Sequence, residues 1–163
     1  MAAIRGNKIA KCISAKVYPP LRSEEDRKEM IKAIRNKVVT CVCSDHSPHS
    51  SEDKEKDIKH APFGTVSLES AFSAIYTELS NNKFSISDII KLFTQGPKEA
   101  MNLNVEMIEE GNNANLTVID PDASWIFDES DIYSKSKNSI MIGEKIKGRI
   151  DLTISGKNAF GYF

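Results

Sequence analysis

The chain has 163 residues, of which 40% are hydrophobic and 28% are charged, and its formal net charge is −1. This composition predicts a globular chain of ordinary domain size without the basic excess that would favour nucleic acid or an anionic membrane. No apolar run approaches the ~18 residues of a membrane span. The first eleven residues contain no apolar stretch of a secretory signal. A complete (β/α)8 barrel needs about 250 residues, so this chain alone cannot be one.

The cysteine content indicates a reducing compartment. Cys12, Cys41 and Cys43 are odd in number and show no C-x-x-C spacing. A disulfide framework is therefore not expected, and a cytoplasmic location fits best.

The first part of the chain predicts a helix followed by a buried strand. Ser23 and Asp26 form a capping pair that opens a helix over about residues 24–36. The run Val38–Cys43 is apolar and β-branched, which is typical of a strand covered on both faces in a parallel sheet. The charged run Ser50–Lys59 is predicted to be an exposed loop.

Three further helices are predicted before residue 110. Apolar residues between Leu68 and Leu79 follow the spacing of one helical face. Ser85 and Asp88 cap the next helix, and a short third helix begins at Gly96-Pro97.

After Gly111 the pattern becomes that of β-strands. Leu116–Ile119 and Ser124–Phe127 are predicted as short strands separated by an Asp-Pro-Asp turn, and the even spacing of apolar residues over 146–154 predicts a third strand or a hairpin. The chain therefore divides into an α/β unit over residues 1–110 and an all-β unit over residues 111–163.

Polar residues that could carry chemistry directly follow the predicted strand. In parallel α/β folds, the carboxyl end of a strand faces the binding crevice, and Asp45, His46 and His49 occupy that position. A carboxylate and two imidazoles can bind a metal or transfer protons. An ordinary turn with solvated histidines explains the spacing equally well. Ala61–Gly64 is a second candidate, because its glycine permits close approach of a ligand, although a plain loop before a helix also fits.

Several motifs in order resemble one enzyme family. The chain is similar to the C-terminal part of dihydroorotase in the segments Lys16–Ser23, Ser44–His49, Ala61–Gly64, Leu116–Asp122 and Ser134–Asn138. The match covers about residues 16–160. Allantoinase has a similar Ser-Asp-His-Ser-Pro run, but His49 and the Ala-Pro-Phe-Gly segment favour dihydroorotase.

This resemblance implies a fold and an activity. The fold would be α/β: the C-terminal part of a metal-dependent amidohydrolase TIM barrel, with its last strands and helices over residues 1–110. Strands of a small β-sandwich domain would follow over residues 111–163. Members of the family are zinc enzymes of pyrimidine biosynthesis that interconvert dihydroorotate and N-carbamoyl-aspartate.

The resemblance also implies site residues. Asp45 matches the catalytic aspartate, which is also a zinc ligand. His49 matches a substrate contact, and Phe63 and Gly64 match a pair that touches the substrate through the backbone. Tyr18 stands where family members have asparagine, and a phenol offers one hydroxyl where an amide offers both a donor and an acceptor. His46 belongs to the motif but is not expected to be a ligand.

The family's remaining metal ligands, among them a His-x-His pair, are not found in residues 1–15. One carboxylate cannot hold a catalytic zinc that needs three protein ligands, so this chain alone is not expected to retain zinc. Three hypotheses follow: an inactive truncated chain, an enzyme subunit completed by an upstream half-barrel chain, and a non-catalytic scaffold that partners aspartate transcarbamoylase. Dihydroorotate is the expected small-molecule partner of a completed enzyme.

Overall fold

The computed structural model describes residues 13–105 and 107–161, and Cys12 therefore lies outside the described residues. Helices precede strands along the chain. The five α-helices of the described ranges are α1 Glu24–Arg35, α2 Ser51–Lys54, α3 Ala71–Asn81, α4 Ile86–Phe93 and α5 Gln95–Ala100. The strands are β1 Asn115–Ile126, β2 Lys145–Ser155 and β3 Asn158–Gly161, and short 3-10 helices lie at Ile13–Ala15 and Glu129–Asp131. None of the helices in these ranges is long and apolar enough to cross a bilayer.

Helix α1 begins where its capping pair predicts. The Ser23 hydroxyl accepts the Asp26 amide at 3.2 Å, and the Asp26 carboxylate accepts the Ser23 amide at 3.2 Å, so both ends of the capping box are made. The Ser23 amide, with help from Arg22, holds the pKa of Asp26 below its ordinary value. An ion pair between Arg27 and Glu78 joins α1 to α3.

The predicted helices in the middle of the chain are confirmed with one shifted boundary. The Ser85 hydroxyl accepts the Asp88 amide at the start of α4. Helix α3 begins at Ala71 instead of Leu68, and the Leu68 amide donates to His46 Nδ1 at 3.1 Å. One core forms where these helices meet and is built from the buried side chains of Phe72, Leu79, Ile89 and Leu92.

The prediction of a buried parallel strand at Val38–Cys43 is wrong. None of these six residues lies in a strand or is buried, and Val38 is 76% exposed. The Val42 amide donates instead to the Leu92 carbonyl at the end of α4. A parallel ladder needs a second strand alongside, and within residues 13–105 and 107–161 no parallel pair is formed.

The sheet of the described residues is antiparallel, in the order β1-β2-β3. The two short strands predicted on either side of Pro121 form one strand, β1, because register shifts after Val118 and after Asp120 absorb the turn residues. Strand β2 confirms the predicted third strand, and the β2-β3 hairpin turns at Gly156, where φ is 59°.

A second core links the sheet to the middle of the chain. Its buried members are Val66, Phe127, Ile132, Met141 and Ile146. Helix α3 also bonds to β2, since the Ser73 hydroxyl donates to the Gly148 carbonyl at 2.6 Å and the Lys147 amide donates to the Thr77 hydroxyl at 2.7 Å. The division at residue 110 stays a prediction.

Candidate functional site

Three segments that are distant in sequence meet at one place. They are the Asp45 loop (residues 44–49), the Phe63 loop (residues 61–66) and the closing segment (residues 134–138). The Ser47 amide donates to the Thr65 carbonyl at 3.1 Å and joins the first two. The Val66 amide donates to the Asn138 carbonyl at 2.9 Å and joins the last two.

Asp45 presents its side chain to solvent from an unusual backbone conformation. Its φ is 47°, in the left-handed region that non-glycine residues rarely adopt, although aspartate tolerates it better than most. The Ser47 hydroxyl donates to the Asp45 carbonyl at 3.1 Å. The surrounding contacts therefore hold an exposed carboxylate on a constrained backbone.

His46 is half-buried, and both of its ring nitrogens make hydrogen bonds. Nδ1 accepts the amides of Ser67 at 3.2 Å and Leu68 at 3.1 Å, so that nitrogen carries no proton. The proton must lie on Nε2, which donates to the Ser134 hydroxyl at 3.2 Å. The alternative of a solvated histidine is wrong for His46, because these contacts engage its ring.

Ser134 passes the hydrogen-bond chain on to Glu69. Its hydroxyl donates to Glu69 Oε1 at 2.6 Å, and its amide donates to the same oxygen at 2.7 Å. Burial raises the pKa of Glu69, but the two bonds from Ser134 outweigh it, and the pKa lies below its ordinary value. The direction of these bonds excludes a serine nucleophile activated by His46, because the hydroxyl proton faces Glu69.

Glu69 was not found from the sequence. It lies within the predicted helical run Leu68–Leu79, where a single charged residue is an ordinary exposed-face residue. Its partner Ser134 is 65 positions away. The only local signal was the Ser134–Asn138 motif, which named Ser134 without its partner.

His49 lies behind the Phe63 loop. Its Nε2 is 2.8 Å from the Phe63 carbonyl, so it donates to that oxygen, and its backbone amide donates to Asn138 Oδ1 at 3.1 Å. Gly64 has φ 140°, and a Cβ there would lie 2.8 Å from His49 Nε2. Only glycine permits this close approach.

Two lysines donate hydrogen bonds to the two carbonyl groups that precede the Phe63 carbonyl. Lys16 Nζ donates to the Ala61 carbonyl at 2.6 Å, and Lys54 Nζ donates to the Pro62 carbonyl at 2.9 Å. The prediction of an exposed loop over Ser50–Lys59 is wrong over Ser51–Lys54, which form helix α2, and Lys54 is only 7% exposed. With His49, these side chains cap three consecutive carbonyl groups.

Tyr18 and Phe63 form an exposed aromatic pair. Their ring centroids are 5.9 Å apart at an interplanar angle of 71°, and the Lys16 ammonium lies 4.6 Å from the Phe63 centroid. The exposed fractions are 73% for Tyr18 and 53% for Phe63. Edge-to-face aromatic contacts of this kind orient both rings.

A cavity of about 480 Å³ opens beside these residues. Its lining includes four of the five predicted site residues, Tyr18, Asp45, Phe63 and Gly64, and His49 is not part of it. The volume lies within the range of about 300–1,000 Å³ that is usual for small-molecule sites. The structure therefore brings together one carboxylate, an aromatic pair and a glycine backbone at an open cavity. Their catalytic and binding roles stay predictions.

The described residues do not fit a zinc ion by themselves. Across residues 13–105 and 107–161, no group of three or more His, Cys, Asp and Glu side chains is placed to hold a metal. His46 uses both ring nitrogens in hydrogen bonds, and His49 uses Nε2. His60 is exposed and pairs with Asp57.

Comparison with known proteins identifies the family. The model of the amidohydrolase family matches residues 2–157. A dihydroorotase of Caldicellulosiruptor saccharolyticus is 35% identical over 142 residues, which are 86% of this chain and 33% of that protein. A dihydroorotase of Chlorobaculum tepidum is 39% identical over 132 residues, which are 80% of this chain and 30% of that protein.

A solved structure agrees with these matches. The L-hydantoinase (dihydropyrimidinase) of Arthrobacter aurescens superposes with a TM-score of 0.80 at 26% identity, over 90% of this chain and 34% of that one. The chain thus spans about a third of the length of the proteins it matches. The predicted resemblance and the predicted fold class are confirmed, and the chain belongs to the amidohydrolase family.

Proposed function

We propose that this chain supplies the C-terminal part of a cyclic-amide hydrolase of the dihydroorotase type. The completed enzyme would interconvert dihydroorotate and N-carbamoyl-aspartate. The observation that carries the proposal is the cavity at which Tyr18, Asp45, Phe63 and Gly64 meet. Relatives named dihydroorotase, 35–39% identical over most of this chain, support the choice of substrate.

Asp45 is the proposed catalytic residue. Opening a cyclic amide requires a proton on the ring nitrogen as the C–N bond breaks, and a carboxylate beside the ring can hold and deliver that proton. Asp45 is exposed to the cavity, so its side chain is accessible to a bound ring. We also infer that Asp45 contributes one ligand to a zinc ion. The other ligands must come from residues outside those described here, because these offer no set of three.

The Phe63 loop is the proposed substrate-binding element. Phe63 and Gly64 line the cavity, and Tyr18 lines it beside Phe63, with the two ring centroids 5.9 Å apart. His49 holds the Phe63 carbonyl through Nε2, so its contribution to binding acts through that carbonyl in this conformation.

We further infer that a second polypeptide segment is the partner that completes the barrel. We also infer a cytoplasmic location for the enzyme.

The test combines the chain with the missing ligands. The purified chain is mixed with a polypeptide that comprises the first two thirds of the Chlorobaculum tepidum dihydroorotase and with zinc, and hydrolysis of dihydroorotate is measured. The mixture is expected to show activity that Asp45→Asn abolishes. Asp57→Asn, at an exposed carboxylate paired with His60, is the matched control and should leave the activity unchanged.

Hydrolysis that is absent, or that does not depend on Asp45, would contradict the proposal. If the chain is folded in that case, the non-catalytic scaffold is favoured, and co-purification with aspartate transcarbamoylase then tests that alternative. Zinc content after dialysis, with and without the complementing polypeptide, shows separately whether metal binding requires both parts.

A further inference from the structure

The closing segment contacts the Asp45 loop at His46 and at His49. The Ser134 hydroxyl accepts a hydrogen bond from His46 Nε2 at 3.2 Å. The Asn138 side chain accepts one from the His49 amide at 3.1 Å. These contacts span 88 and 89 positions of sequence. Two residues of one short segment therefore hold the chain on either side of Ser47 and Pro48.

We propose that Ser134 and Asn138 are positioning residues for Asp45, which they hold in place through His46 and His49. The inference rests on the proposed function of Asp45, but the hydrogen bonds of Ser134 with His46 and of Asn138 with His49 are observed independently of that function. It gives the segment between β1 and β2 a part in the candidate site, although neither residue lines the cavity.

The backbone of Asp45 explains why such support is needed. A non-glycine residue with φ 47° persists only where its surroundings fix it. His46 is the next residue, so contacts that fix its ring restrain the backbone that continues from Asp45. The ring is fixed at three points, since two amides reach Nδ1 and Ser134 receives Nε2–H.

The directions of its hydrogen bonds make Ser134 an acceptor for His46. Because the Ser134 hydroxyl gives its hydrogen to Glu69, only its lone pairs face His46. That arrangement accepts Nε2–H and matches the tautomer that the Ser67 and Leu68 amides select at Nδ1. Removal of the hydroxyl would leave a half-buried Nε2–H without its acceptor and release one of the three points that fix the ring.

Asn138 acts on the His49 side of Ser47 and Pro48. Its side-chain oxygen receives the His49 amide, and its backbone carbonyl receives the Thr65 hydroxyl at 3.0 Å and the Val66 amide at 2.9 Å. The same residue therefore fixes the spacing between the Asp45 loop and the Phe63 loop. Since a catalytic carboxylate and a binding backbone must face one substrate, that spacing matters for the reaction.

The first experiment measures the hydrogen bonding of His46 and the environment of Asp45 directly, and it does not require enzymatic activity. The chain is labelled with ¹⁵N, and the ring nitrogens of His46 and the amide of Asp45 are followed by NMR. The parent chain should show Nδ1 unprotonated and Nε2 protonated. Ser134→Ala should change the His46 ring signals and the Asp45 amide, and Ser134→Thr, which keeps the hydroxyl, should restore them. Ser136→Ala, two residues further along the closing segment, is the matched control.

The second experiment reads the catalytic consequence in the complemented enzyme. Ser134→Ala and Asn138→Ala should each lower kcat about 10- to 100-fold with little change in KM, as expected when a reacting group is displaced by up to about 1 Å. Ser134→Thr should recover most of kcat. A purely structural role would instead lower the amount of folded chain and leave kcat per folded molecule unchanged.

The two experiments separate this inference from the proposed function. If complementation gives no hydrolysis but Ser134→Ala alone changes the His46 and Asp45 signals, the positioning contacts stand and the proposed activity fails. The inference is overturned if Ser134→Ala and Ser136→Ala give the same His46 and Asp45 signals. It is also overturned if the folded Ser134→Ala enzyme keeps its full kcat.

Discussion

Substitution of Gly64 by alanine is the most direct test of how tightly the two loops pack. A Cβ at this position would lie 2.7 Å from the Ser47 carbonyl oxygen, and 2.8 Å from both Ser47 Cβ and His49 Nε2. An ordinary contact is at least 3.4 Å, so these groups must retreat by about 0.6–0.7 Å. Retreat of the His49 ring weakens its bond to the Phe63 carbonyl, and retreat of Ser47 weakens its bond to the Thr65 carbonyl.

Two terms contribute to the expected loss of stability. The backbone at φ 140° favours glycine, and forcing alanine into it costs about 1–3 kcal/mol. Two weakened hydrogen bonds add about 0.5–1.5 kcal/mol each. Gly111 isolates the first term, because its φ is 93° and a Cβ there meets nothing within 4 Å. Gly64→Ala should therefore lower the free energy of unfolding by about 1–3 kcal/mol more than Gly111→Ala does.

Urea unfolding and thermal melting of the two variants beside the parent chain measure this difference. For a chain of this size a difference of 2 kcal/mol corresponds to about 4–8 °C in Tm. Equal losses in the two variants would refute the reasoning, because they would show that the Asp45 loop yields freely to a methyl group at Gly64. A larger loss in Gly111→Ala would refute it as well.

Three other substitutions test separate contacts. The pKa of Glu69 lies below its ordinary value, so the Glu69 carboxylate stabilises the fold above about pH 4.5. This contribution disappears as the pH falls through the lower pKa of the folded state. Glu69→Gln should remove that part of the pH dependence of Tm. Lys54→Met should cost about 1–3 kcal/mol in urea unfolding, because the part-buried Pro62 carbonyl loses its donor. Lys56→Met, at an exposed lysine, should cost less. In the complemented enzyme, Tyr18→Asn should lower KM for dihydroorotate because it restores the family's amide; an unchanged or higher KM would count against a substrate role at this position.

Features specified by neighbouring residues were predictable from the sequence. The capping pairs Ser23 with Asp26 and Ser85 with Asp88 act within one helical turn, so both helices begin where the pattern indicates. The strand spacing over residues 146–154 is equally local, and β2 forms there. Four of the five predicted site residues line one cavity, and ordered motifs, rather than single residues, had indicated them; their roles stay predictions.

Features that depend on distant partners were not predictable. Glu69 accepts a hydrogen bond from Ser134, which is 65 positions away, and no pattern in the sequence indicates that the two residues are in contact. Lys54 lies in a charged run whose composition indicates solvent, and its burial depends on the Pro62 carbonyl reaching Nζ. A single chain without homologues aligned to it provides no signal for such pairings.

The structure of the segment Val38–Cys43 also depends on distant partners. Its β-branched, apolar sequence is suited to a strand, yet none of its residues is buried and Val38 is 76% exposed. An exposed apolar run of this kind promotes association with another chain. We therefore expect the purified chain to self-associate in size-exclusion chromatography with light scattering. A charge within this exposed apolar run should oppose association, so Val38→Lys should shift the chain toward monomer. Ile108→Lys, at a residue that is 84% exposed outside this segment, should not. A monodisperse parent chain with a sharp cooperative melt would show that the described residues close their own core without a partner at this segment.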